Sequence, residues 1–197
     1  MPTGVALRDA RQQLFAAAER ILLRDGPAAL TSRAVTTEAG VAKGVLHRHF
    51  ADFDAFLAEF VLDAVARMDP RVAGLPAAAG TGTVAGNLTA ALTALFESVA
   101  VALVPLVIAR DELRARLRET WPAGVPVLTD AARLLGAYLT AERELGRLSD
   151  DADTQTLAAM LIGTCHLHYT GHDNTPPPVD DVARVVASVL SGAVPRL

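Results

Sequence analysis

Residues 31–50 read TSRAVTTEAGVAKGVLHRHF, and the fold is decided there. The pattern predicts two short helices joined by a tight turn at Gly40-Val41. Thr31 is placed to cap the first helix, because its hydroxyl can accept an orphan backbone N–H. Val35 and Ala39 would face a core, and Gly40 supplies the turn. The next helix spans about Lys43 to His49, with Leu46 and Phe50 as anchors. That leaves Lys43, Gly44, His47 and Arg48 on the exposed side, and Lys43 is the only lysine in the chain. A short helix with a basic face, held at an angle by a Gly-containing turn, is the geometry that enters a DNA major groove.

The flanking sequence supports two neighbours for this pair. Leu7 to Arg24 carries apolar residues near a 3.6 period and stops at Gly26-Pro27. Asp52 is an N-cap for a fourth helix running to about Met68, with Phe53, Phe56, Phe60 and Ala64 in one stripe and Pro70 ending it. Residues 74–86 read as a Gly/Ala/Thr-rich loop. Further helices are expected at about 87–103, 105–118, 126–144, 152–169 and 179–193, with Pro105 as one of the breakers between them.

Composition agrees with an all-α chain. It is 197 residues long and 51% hydrophobic, with 20% charged and 5% aromatic residues, enough to bury a core. Alanine and leucine dominate, and β-branched alternation is rare. A single cysteine, Cys165, rules out an internal disulfide and points to a reducing compartment. No charged-then-apolar leader opens the sequence, and a soluble, cytoplasmic protein is expected. The net charge of −4 would argue against nucleic acid, but its distribution reverses that reading. Residues 1–50 hold seven basic against four acidic residues, whereas residues 51–197 hold 11 against 18. A basic head on an acidic body suits a DNA-docking element on a soluble carrier.

These residues together resemble the TetR family of transcriptional regulators. The resemblance rests on Gly26, Thr31, Ala39-Gly40-Val41, Lys43-Gly44, Leu46, Arg48-His49-Phe50 and Leu57. Beyond them it extends only to layout, including a Gly-Arg-Leu-Ser-Asp-Asp turn before a long apolar helix. It implies an amino-terminal three-helix DNA-binding head with a helix-turn-helix, residues 1–51, and a larger helical ligand-binding and dimerisation body, residues 52–197. It further implies a homodimer through the last two long helices and a small-molecule effector. The usual action would be repression at a palindromic operator, relieved by the effector.

In that frame Thr31, Ser32 and Arg33 would clamp phosphates flanking the groove. Lys43 and Gly44 would meet the backbone, Val45 a thymine methyl, and His47 and Arg48 a base or phosphate. His49, beside Phe50, is expected to pack or cap instead. The chain departs from the family at Ala42, usually Ser, at Val45, often Thr, at His47, often Tyr, and at Phe53, usually a phosphate-contacting Lys. Such losses imply weaker binding or an unusual operator, unless Arg8, Arg33 or the histidines substitute.

For the body, Phe60, Phe96, Trp121, Tyr138 and His166 are candidate pocket residues for a largely apolar effector. Cys165, His168 and His172, three and four apart, offer an alternative as metal ligands in a metal-sensing regulator. Leu157, Met160, Leu161, Thr164 and Cys165, with Val182, Val185, Val186, Val189 and Leu190, form stripes for a partner subunit. No Gly-rich phosphate loop, Ser-His-Asp arrangement or paired catalytic carboxylates stands out, so neither enzyme nor cofactor is expected. Asp150-Asp151-Asp153 reads as a solvated cap. A helical enzyme using His166 or His168 as base is the remaining alternative.

Overall fold

A computed structural model describes residues 4–122, 124–171 and 175–193, with the side chains of 4–9 left aside. Among the described residues the chain is helical, without a strand. It divides into two compact units, Met1–Arg67 with Ala102–Pro126, and Met68–Val101 with Val127–Leu197.

The first unit is built on α1 (Gly4–Asp25). Leu14, Phe15, Ala17, Ala18, Ile21 and Leu22 are buried, a spacing that makes one face of the helix wholly apolar. Gly26, at φ +79°, closes the helix by donating its N–H to the Leu22 carbonyl at 3.1 Å. A 3₁₀ turn (Pro27–Ala29) leads to α2 (Ser32–Glu38). Thr31 caps α2, its hydroxyl accepting the Ala34 N–H at 3.1 Å. At the other end Gly40, φ +66°, donates to Thr37 O and Val41 donates to Thr36 O, the paired bonds of a Schellman motif. Then come α3 (Gly44–His49) and α4 (Phe53–Ala66), the latter capped by Asp52, which accepts the Ala55 N–H at 2.7 Å.

Aromatic packing locks these helices together. Phe15 of α1 lies 5.9 Å from Phe50, 5.6 Å from Phe56 and 5.8 Å from Phe60, measured between ring centres. Phe50 meets Phe56 edge-on at 5.1 Å, and the Arg11 guanidinium covers the Phe50 ring at 4.7 Å. For this reason α4 belongs with the first unit, and the boundary expected after residue 51 falls inside it.

α7 (Val99–Ala109) and α8 (Asp111–Leu117) come next in this unit, with α7 starting at its edge and α8 packing on α4. Pro105 does not separate helices as expected but lies within α7. The missing N–H at Pro105 removes one hydrogen bond, and the apolar run supplies enough burial to offset it. The breaks fall at Ser98, whose hydroxyl folds back onto Leu95 O at 2.6 Å, and at Arg110 in extended conformation.

The second unit holds α5 (Pro70–Ala73), a 3₁₀ helix (Leu75–Ala78), α6 (Val84–Phe96), α9 (Leu128–Glu144), α10 (Thr154–Gly171) and α11 (Val179–Leu190). Part of the expected loop 74–86 is therefore ordered. Pro70 opens a helix at its first position, and Thr83 caps α6 by accepting the Gly86 N–H at 3.0 Å. α9 packs on α10, and α11 on α6 and α10. Gly136 permits the close approach of α9 and α10, since a Cβ there would sit 2.7 Å from the Gln155 amide. Asp153 caps α10 through Thr156, as the sequence implied.

One polar network is buried in this unit. Glu142 is fully buried and faces Arg147 at 3.3 Å and the Gly80 N–H at 3.4 Å. The Tyr138 hydroxyl bonds to Glu142 and accepts from Asn87 at 3.0 Å. Arg147 also donates to Gly82 O at 2.7 Å, so the 80–82 loop is tied to α9. A buried charge is tolerable only with such partners.

Phe56→Ala is expected to destabilise the first unit by about 3–5 kcal/mol, because the ring is wholly enclosed. Urea unfolding followed by circular dichroism measures this; a loss below about 1 kcal/mol contradicts the aromatic lock.

Candidate nucleic-acid interface

The helix pair α2–α3 presents the residues read from the sequence on an accessible surface. Thr31, Arg33, Lys43, Gly44, His47 and Arg48 are exposed, and Ser32 and Val45 are half-buried. Beneath them Val35, Leu46 and Phe50 are buried and hold the pair on α1. Thr31 uses an oxygen lone pair for its cap, leaving the hydroxyl proton available to an acceptor. His49 is half-buried, its ring 6.3 Å from Phe50, which fits packing better than base contact.

The cations of the head fall into two groups. Arg20 and Arg24 both engage Glu38, at 2.7 Å and 3.3 Å, and Arg11 pairs with Glu59. The Arg20 hydrogen bond is the chief reason that Glu38 is held below the usual carboxylate range. Among the described residues, no ion pair engages Arg33, Lys43 or Arg48. Positive charge that is free to meet an anion is therefore confined, within 10–50, to the start of α2 and to α3. The Arg8 side chain lies outside the described residues.

Two further cations belong to this neighbourhood and were missed by sequence reading. Arg110 pairs with Asp54 at 2.9 Å and lies 5.5 Å above the Phe53 ring. Arg116 pairs with Asp52. Their partners are 56 and 64 residues away in sequence, so no local spacing announces them.

Residues 14–60 match the model of the bacterial regulatory proteins, tetR family. The chain carries a tetR-family amino-terminal domain. The whole fold is also that of tetR-family regulators. It is similar to a chain from Mesorhizobium loti classed among TetR-family transcriptional regulators, with 15% identity, TM-score 0.73, and coverage of 98% of this chain and 100% of the other. It is similar to FadR from Bacillus subtilis, solved with stearoyl-CoA, at 17% identity and TM-score 0.69, covering 92% and 98% of the two chains. KstR2 of Mycobacterium tuberculosis, a ketosteroid transcriptional regulator, gives 19% identity and TM-score 0.62, covering 94% and 95%. Comparison with curated protein sequences finds no significant match.

The five expected pocket residues are divided between the two units. Phe60 and Trp121 belong to the first unit, and Phe96, Tyr138 and His166 to the second. Phe60 is core, stacked 6.2 Å from Phe56, and Tyr138 is committed to the Glu142 network. Burial and that hydrogen bond push the Tyr138 pKa far up, so it stays neutral. Phe96 and His166 do meet, at 6.5 Å, joined by Tyr169 at 6.0 Å and 6.3 Å respectively. His166 Nδ1 is buried without a hydrogen-bond partner among the described residues, and burial pushes the imidazole pKa down.

The metal alternative gains nothing from the geometry. Among the described residues no three His, Cys, Asp or Glu side chains gather for an ion, and His172 lies outside them. Cys165 is buried, which pushes its thiol up to about 11. Also among the described residues, no single helix is long and apolar enough to cross a membrane.

At pH 7 the folded chain should hold about 100-fold less Cys165 thiolate than an unfolded one. Because the folded pKa is raised, this group's stabilising contribution is full below about pH 9 and declines as pH rises toward about 11. A disulfide reagent should label Cys165 slowly in buffer and at once in denaturant. Equal rates contradict the buried thiol.

Proposed function

We propose that this chain is a cytoplasmic, non-enzymatic DNA-binding transcriptional regulator, most simply a repressor. It binds a palindromic operator as a homodimer and is released by a small, largely apolar effector. The observation that carries the DNA reading is the unpaired cationic face of α2–α3. Lys43 sits at the start of α3, where free backbone N–H groups also favour phosphate. Thr31, Ser32 and Arg33 clamp the flanking backbone, Gly44 allows close approach, Val45 offers an apolar contact, and His47 and Arg48 reach base edges or phosphates.

The homodimer reading is supported by α10 and α11. Met160 and Leu167 are 49% and 71% exposed on α10, and the small residues Ala159 and Gly163 are exposed on the same helix. Bulky apolar groups beside small ones fit a helix-on-helix interface. Two heads related by a two-fold axis match a palindrome.

The effector reading rests on Phe96, His166 and Tyr169 in the second unit, an aromatic cluster with one unsatisfied nitrogen. FadR with stearoyl-CoA and the ketosteroid regulator KstR2 are similar folds whose names point to molecules with large apolar parts. Phe96 and Tyr169 are buried, so an effector of that character would part the cluster to lay its apolar part on the rings and offer a hydrogen-bond donor to His166 Nδ1.

Lys43→Ala should weaken binding to any duplex and flatten the slope of log K against log salt by about 0.9, one phosphate contact. Fluorescence anisotropy at several salt concentrations reads both, and an unchanged slope removes Lys43 from the contacts. Leu167→Glu, at a position exposed in the single chain, should convert the dimer to a folded monomer in light scattering. A dimer that persists at micromolar concentration places the interface elsewhere.

A further inference from the structure

α3 and α4 are joined by three residues, so Asp52 and Asp54 follow the cationic helix directly. Asp52 is four residues beyond Arg48, within about 15 Å of it by chain length alone. Carboxylates at that range oppose a polyanion held on α3 at low salt, and progressively less as added salt shortens the Debye length to about 8 Å. Both are met by guanidinium groups from the α8 segment. Asp52 divides its two oxygens, Oδ1 accepting the Ala55 N–H at 2.7 Å and Oδ2 facing Arg116 Nη2. Asp54 Oδ1 accepts from Arg110 Nε at 3.0 Å, and the same guanidinium rests over Phe53.

The Arg116–Asp52 pair is a poor candidate for a stability device. The Arg116 and Asp52 side chains are 43% and 48% exposed, and exposed pairs contribute little to folding. Their arrangement makes sense as charge control. Arg116 and Arg110 pair with the two carboxylates that follow α3 in the chain, while no ion pair among the described residues engages Arg33, Lys43 or Arg48.

We propose that Arg110 and Arg116 are positioning residues for DNA binding: by docking α8 on α4 they neutralise Asp54 and Asp52, and so set the affinity of the α2–α3 face for phosphate without touching it. The inference rests on the DNA-binding reading above. It makes DNA affinity depend electrostatically on whether α8 is seated. An α8 displaced from α4 uncovers two carboxylates beside the recognition helix.

The test is binding of a short random-sequence duplex by the full chain, at about 50 and about 200 mM salt. Arg116→Gln is expected to weaken binding about three- to tenfold at the lower salt, with a smaller effect at the higher. Asp52→Asn in that background is expected to restore affinity, because asparagine keeps the helix cap and removes the charge. Arg110→Gln with Asp54→Asn should behave alike. Unchanged binding by Arg116→Gln overturns the inference. Loss that Asp52→Asn does not rescue also overturns it, since the guanidinium then acts on DNA or on the fold. Failure of the unaltered protein to bind the duplex at low salt overturns the DNA-binding reading itself, and the inference with it.

Discussion

The burial of Phe15 against Phe50, Phe56 and Phe60 is the constraint on which the DNA-facing side depends. α3 is only six residues long, and its N-cap Lys43 makes no side-chain capping bond. Such a helix is unstable alone, because nucleation is never recovered over one and a half turns. It persists because Leu46 and Phe50 are sunk into the core of the first unit. The exposed face of α3 is thus presented by a rigid apolar underside, and its polar residues are freed from structural duty.

Charge is distributed on the same logic. The chain as a whole is acidic, yet its head assigns Arg11, Arg20 and Arg24 to carboxylates and keeps Arg33, Lys43 and Arg48 unassigned. The second unit shows the opposite use of charge. There Glu142 pairs with Arg147 and Asn87 meets Tyr138, and the 80–82 loop is tied to α9.

Features encoded within a few residues were legible in the sequence. The Thr31 cap, the Gly40 turn and the Asp52 cap all involve partners within about five positions, where residue type dictates geometry. The grouping of α4 and α8 with the head was not legible, because it depends on contacts across 48 to 64 residues. Pro105 was misleading for a related reason: local chemistry disfavours it within a helix, and burial on both sides overrides that preference. For the pocket candidates, aromatic character alone does not separate a ring committed to a core, such as Phe60, from one that meets a ligand. Phe53 shows the same limit. It could be read as a lost phosphate contact, but not as the platform beneath Arg110.

The most direct measurement is selection of bound duplexes from a random DNA pool by the purified full chain at low salt, followed by sequencing. A DNA-reading α2–α3 face on a two-fold dimer predicts an enriched motif of two inverted half-sites spaced near the helical repeat, with affinity falling steeply as salt rises. A pool that stays unenriched, with no retained DNA at low salt, would contradict the central claim.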